Sequence, residues 1–171
     1  MDVEQSFDAY VRSRGASLFR TAYVLTGDHH LAEDLVQEAL LRLAGRWRQV
    51  ASAGDPDAYV RRTLYHQHVS WWRRRRRGVT EVKVEPPQVA ALDASGDVPS
   101  ALAVWDALAR LAPRQRAVLV LRYYEDLSEA QTAAILGVRV GTVKSQVRDA
   151  LARLRVLAPE LSDRIDLEVT P

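Results

Sequence analysis

The chain contains no cysteine. That excludes a disulfide-stapled scaffold and any zinc site built on thiolates, and it fits a reducing compartment. No apolar stretch approaches the ~20 residues that a membrane-spanning helix needs. No secretory leader opens the sequence, so the expectation is a soluble protein of the cytoplasm with no membrane insertion. Strand-like alternation is missing as well, apart from 79–84, which has no partner run. No fixed-period repeat occurs. Enzymatic signatures are also absent: there is no HExxH, no Gly-x-Ser-x-Gly and no glycine-rich turn between a strand and a helix. Gly137, Gly141, Lys144 and Ser145 mimic a phosphate loop only loosely, because no glycine directly precedes the lysine. The adjacent carboxylates Glu33 and Asp34 diverge on a helix and make no acid/base pair. His29 and His30 are adjacent and His66 and His68 are two apart, so neither pair chelates from one helical face. No cofactor and no enzymatic activity are expected.

What remains is helical and unevenly charged. The 171 residues allow one domain or two small ones, and an apolar content of 47% is enough for packed cores. The net charge is only +2. Between 114 and 155, however, eight basic residues face four acidic ones, whereas the last fourteen residues carry four acids and one arginine. A basic segment of that kind suits a polyanionic partner better than the total charge suggests.

The most informative stretch is LSEAQTAAILGVRVGTVKSQVRDALARL, from Leu127 to Leu154. Ser128 with Gln131 three residues on forms a capping box. Gly137 supplies the left-handed residue that ends the first helix. Val143, Val147, Ala150, Leu151 and Leu154 then recur at helical spacing as a buried stripe. Ser145, Arg148, Asp149 and Ala152 point away from the stripe, and Lys144 lies on its flank. A polar, basic face on the second helix of such a pair is the arrangement that enters a DNA major groove. An ordinary helical hairpin with a solvated outer face has the same pattern.

Upstream, a helix is expected from Val3 to Leu25, with Gly15 leaving one helix or two open. Asp28 caps a second, roughly His29 to Trp47, with Leu31, Leu35, Ala39, Leu40 and Leu43 facing inward. Residues 51–55 read as a loop. Asp55-Pro56 opens a third helix: a capping carboxylate, then proline in the first turn. It runs to about Arg76 and ends in five arginines, Arg73 to Arg77. Arginines interleaved with Tyr59, Tyr65, Trp71 and Trp72 combine phosphate-binding charge with flat stacking faces, as single-stranded DNA requires; tryptophans packed in a core and arginines on a solvated helix end, set there by the helix dipole, have the same pattern. Residues 79–99, with Pro86, Pro87, Pro99 and Gly96, read as a linker. Ser100 is expected to cap a helix through Leu111, and Ala112-Pro113 to start another through Tyr124. The tail, 158–171, is acidic. The fold class is therefore all-α: two small helical domains, 1–78 and 100–157, on a tether. Two modest DNA sites joined in this way reinforce each other when one DNA engages both.

These blocks resemble a known family. RTAYVLTGDHHLAEDLVQEALLRL (20–43), DPDAYVRRTL (55–64), SWWRRRR (70–76) and LAPRQRAVLVLRYYEDLSEAQTAAILGVRVGTVKSQVRDALARLR (111–155) together look like an extracytoplasmic-function (ECF) sigma factor of the sigma-70 family. Such a protein is a promoter-recognition subunit of bacterial RNA polymerase, and the similarity is greatest to the actinobacterial sigma-E-like group. The resemblance implies that Asp34, Leu35, Gln37, Glu38 and Leu41 dock on the β′ clamp helices of core polymerase. It implies that Tyr59, Arg61, Arg62, His66, Trp71, Trp72, Arg73 and Arg74 serve −10 recognition and melting. Lys144, Ser145 and Arg148 would contact the −35 element, with Arg122, Arg139 and Thr142 on phosphates. The β flap and an anti-sigma factor are the further partners implied. Two departures stand out. His66 replaces a frequent asparagine, and Arg139 replaces a serine that commonly caps the recognition helix. The alternative from another class is a stand-alone helix-turn-helix regulator, which binds an operator without polymerase.

Overall fold

The structure, a computed structural model, describes residues 3–75 and 98–159, without the side chains of 3–5, 72, 73, 75 and 98–102. Every regular element among the described residues is helical. The chain divides into two compact units, Met1–Glu81 and Val82–Pro171. Of the linker expected at 79–99, residues 79–97 lie outside the described residues and 98–99 belong to a helix; the strand-like run at 79–84, Arg76 and Arg77, and the tail beyond Pro159 also lie outside them.

In the first unit, α1 (Val3–Thr26) is one continuous helix; Gly15 does not break it. Gly27 (φ 68°) turns the chain. The Asp28 carboxylate then accepts from the Leu31 amide at 2.9 Å and caps α2 (His29–Ala44), as its sequence position predicts. α2 stops three residues short of the expected end. A short α3 (Trp47–Ala53) follows, where the sequence reads as a loop from 51. Only Trp47 and Val50 of α3 are buried, too few positions to show a period. Gly54 (φ 91°) ends α3 in a conformation that side chains resist. Asp55 caps α4 (Pro56–Arg75) through the Ala58 amide at 2.8 Å.

α1 packs on α2, and α2 on α4, around Leu25, Leu35, Leu43, Val60, Leu64 and Tyr65. Trp47 takes Phe7 edge-on and Tyr10 at a tilt, both with centroids 5.4 Å away. A polar clamp reinforces this side: the Tyr10 hydroxyl donates to Asp57 at 2.8 Å, and Arg14 pairs with the same carboxylate at 2.6 Å. Burial, then the hydrogen bond and the charge of Asp57, push the Tyr10 phenol above its ordinary range.

In the second unit, α5 (Val98–Ala109) begins two residues before Ser100, so Ser100 lies inside the helix rather than capping it. Pro99 sits in the first turn, where a missing amide costs nothing. α6 (Pro113–Leu119) runs into a π-helical turn, Val120–Tyr124, rather than continuing as α-helix. The wider turn is visible in the Glu125 amide, which donates to the Val120 carbonyl at 2.9 Å, five residues back. α7 (Glu129–Leu136) and α8 (Val140–Leu157) complete the unit. Both bonds of the Ser128–Gln131 capping box form, at 3.1 and 2.8 Å, and Gly137 takes the left-handed conformation (φ 66°).

Val118, Leu119, Ala133, Val143, Ala150, Leu151 and Leu154 form the core of this unit. Arg116 is buried within it, and its Nε donates to the Leu108 carbonyl at 2.6 Å. That bond satisfies a backbone acceptor at the end of α5. Burial lowers the Arg116 pKa to about 10, which still leaves the guanidinium charged at neutral pH.

Candidate nucleic-acid interface

α8 presents its two faces as the spacing requires. Val143, Ala150, Leu151 and Leu154 are sealed in the core, and Lys144 and Arg148, one helical turn apart, are exposed together. Thr142 and Ser145 are half-buried beside them, and the Ser145 hydroxyl donates to the Thr142 carbonyl at 3.0 Å. Arg139 is exposed at the N-cap, and no side chain caps the helix there. The Thr142 and Val143 amides return to the Arg139 carbonyl, at 2.9 and 3.2 Å, and an exposed arginine at this helix N-terminus suits a phosphate.

Arg122 sits in the π-helical turn, half-buried. It donates to the Leu127 carbonyl and lies 6.0 Å from the Tyr123 ring centre, so part of its donor fork is committed inside the protein. Neither exposed cation of α8 is bare. The Lys144 ammonium lies 3.6 Å from the Glu129 carboxylate at the start of α7. Arg148 directs Nε and Nη2 onto one oxygen of Asp149, at 3.2 and 3.1 Å. No sequence spacing announces the Glu129–Lys144 pair, because the turn between α7 and α8 brings the two together.

On α4, Tyr59, Arg62 and His66 recur at three- and four-residue steps and form one outer stripe. Arg62 and His66 are exposed, Tyr59 is half-buried, and Arg74 extends the exposed surface toward the helix end. Arg61 and Trp71 are half-buried at the flank; Trp72 and Arg73 lie on α4 with side chains outside the described set. Tyr65 does not belong to this surface. It is fully buried, so it supports the fold and offers no stacking face.

The outer face of α2 is equally well defined. Asp34, Gln37, Glu38 and Leu41 follow the steps three, four and seven, and all are exposed. Leu41 is 73% exposed, an apolar side chain amid polar ones, and Glu38 is tied to Arg42 at 2.6 Å. Leu35 is the correction here. At 5% exposure it is part of the core, about 100° per residue away from the stripe, and it cannot touch a docked partner. Among the described residues no group of three or more histidine or carboxylate side chains is placed to hold a metal ion. No helix among them is long and apolar enough to cross a membrane.

Comparison with known proteins accounts for both units. The family model described as Sigma-70 region 2 matches residues 7–78, and that described as Sigma-70, region 4 matches residues 101–154. The RNA polymerase sigma-E factor of Streptomyces avermitilis is 44% identical over 150 residues, covering 87% of this chain and 83% of that one. The sigma-E factor of Streptomyces coelicolor is 43% identical over 87% of this chain and 84% of its own. The ECF RNA polymerase sigma factor SigL of Mycobacterium tuberculosis is 37% identical, with 85% of each chain covered. A similar solved structure is that of the sigma factor RpoE in complex with the anti-sigma factor NepR from Bartonella quintana. It is 28% identical with a TM-score of 0.69, covering 90% of this chain and 96% of that one. By sequence and fold alike, the chain belongs to the ECF sigma factors of the sigma-70 family.

Proposed function

We propose that the two units divide promoter recognition between them while core RNA polymerase holds the first in place. The α2 stripe of Asp34, Gln37, Glu38 and Leu41 docks on the β′ clamp helices. Its exposed leucine supplies apolar contact, and its carboxylates suit a basic partner. The α4 stripe, with Tyr59, Arg62, His66 and the arginine run at its end, receives the melted −10 strand. Cations track the backbone, and aromatic faces take bases whose unstacking costs a few kcal/mol. Arg61, Trp71, Trp72, Arg73 and Arg74 extend this surface.

The second unit lays α8 in the major groove of the −35 element. Lys144, Ser145 and Arg148 face base edges, and Arg122, Arg139 and Thr142 hold phosphates. The same unit meets the β flap. The protein works in the cytoplasm, makes and breaks no covalent bond, and needs no cofactor. An anti-sigma protein that covers the exposed faces is the regulator expected.

The observation that carries this reading is α8 itself: one face sealed in the core, and two cations one turn apart on the other. Reconstituted transcription tests it. Core polymerase with this chain should start RNA at defined positions on DNA from its own source, and Arg148→Ala with Lys144→Ala should abolish those starts. Equal initiation without the chain, or with the double variant, would sink the reading.

A further inference from the structure

Both reading cations of α8 carry a carboxylate of their own. Glu129 reaches Lys144 across the turn between α7 and α8, at 3.6 Å, with the side chains 39% and 64% exposed. Asp149 accepts both Nε and Nη2 of Arg148 on one oxygen. Ser128 already caps α7, and Asp149 points away from the core stripe of α8. Two acids therefore stand on the α8 surface, which is expected to meet duplex DNA, a polyanion.

Resting on the functional reading above, we propose that Glu129 and Asp149 are specificity-determining residues that restrain binding to arbitrary duplex DNA. Non-specific affinity comes almost wholly from cations on phosphates. A carboxylate beside each cation must either be displaced or remain and repel the backbone, and either subtracts from that term for every sequence alike. A base edge with strong acceptors, such as the O6 and N7 atoms of guanine, can take the cation's hydrogens in place of the carboxylate. A matched site regains what the acids remove, and an arbitrary one does not. What matters for a DNA reader is the ratio between the two.

The test uses the full chain with a randomised 30-base-pair duplex as probe. Binding is measured over a salt series for wild type, Glu129→Gln, Asp149→Asn, Lys144→Ala and Asp106→Asn. Asp106 serves as the control. It makes the same charge change on the same unit, but it pairs with Arg110, which reaches the Leu157 carbonyl at 3.4 Å. That ties it to the Leu157 end of α8, whose backbone lies about 20 Å along the helix from Lys144, against a Debye length of ~8–10 Å. Glu129→Gln and Asp149→Asn should each raise affinity roughly two- to fivefold at low salt. The gain should shrink as salt rises, because screening weakens the carboxylate's hold.

A role for Glu129 confined to fixing the angle between α7 and α8, or to the dipole of α7, would move the melting temperature but not this salt-dependent gain. Weaker binding by Glu129→Gln, or gains no larger than that of Asp106→Asn while Lys144→Ala still weakens binding, overturns the inference and leaves the functional reading standing. No effect of Lys144→Ala overturns both.

Discussion

The two units are both helical, yet they are held together differently. In the first, side chains join helices to one another: Tyr10 and Arg14 on α1 share Asp57 on α4, and Phe7 and Tyr10 flank Trp47 on α3. In the second, among the described residues, three arginines reach backbone carbonyls, Arg116 that of Leu108, Arg122 that of Leu127 and Arg110 that of Leu157, beside the Glu129–Lys144 pair that links α7 to α8. Capping and turn chemistry act in both units, at Asp28, Gly54 and Asp55 in the first and at Ser128 and Gly137 in the second. Short helices leave a large share of orphan amides and carbonyls, which explains the second arrangement. Long helices bury wide stripes and need their crossing fixed, which explains the first. The difference has a functional counterpart. The first unit keeps α4 in place while its outer stripe stays open, and the second aims a single helix.

The most severe test of this contrast is a cavity in one core. Leu35→Ala should cost about 2–5 kcal/mol and lower the calorimetric transition of the first unit alone. A matching shift of the second unit's transition would show that the units do not fold independently. Next comes turn chemistry in the second unit. Gly137→Ala has open space around the added carbon, so only the left-handed backbone resists it, by roughly 1–2 kcal/mol. Ser128→Ala should cost about 1 kcal/mol, and Gly141→Ala, in ordinary helical backbone, should stabilise by about 0.4–1 kcal/mol. Urea midpoints that fail to rank the three in this order would contradict the account of α7 and α8.

The clamp of the first unit makes a pH prediction. Unfolded, Tyr10 loses its proton near pH ~10. Folded, burial and Asp57 keep the proton on to higher pH. The folded state therefore binds more protons above that point, and stability falls as pH rises through it. Tyr10→Phe should remove about 1 kcal/mol at neutral pH and flatten that alkaline loss. An unchanged slope would remove Tyr10 from the clamp. The smallest effect on stability is expected from Leu41→Ser, within ~0.5 kcal/mol because the side chain is exposed. The same change should weaken capture of core polymerase several-fold in a pull-down.

How much of this was legible in the sequence followed the range of the interactions. Asp28, Asp55, Ser128–Gln131 and Gly137 act within four residues of themselves, and all four are where local chemistry puts them. The alternation of buried and outer positions on α2 and α8 was equally plain. α3 was missed because two buried residues make no period, and the π-helical turn because its apolar residues read as a continuing helix. Ser100 misled because the capping preference of serine was overridden by Pro99 in the first turn. Tyr65 reads as a stacking face in the sequence because residue type does not tell which side of α4 is buried. Leu35 carries two readings, inward by its spacing and docking by the family resemblance, and its burial decides for the first, while Leu41 on the same helix stays exposed. The Glu129–Lys144 pair and the burial of Arg116 depend on tertiary approach, which no spacing encodes.

The division of labour between the units is tested most directly by permanganate footprinting of the polymerase complex on a promoter mapped by run-off transcription. Arg148→Ala should weaken occupancy but leave unpaired thymines at the −10 element as reactive as in wild type once the complex is saturated. Arg62→Ala with His66→Ala should leave occupancy nearly intact and lose that reactivity. Loss of reactivity in a saturated Arg148→Ala complex, or full reactivity in the α4 variant, would contradict the account.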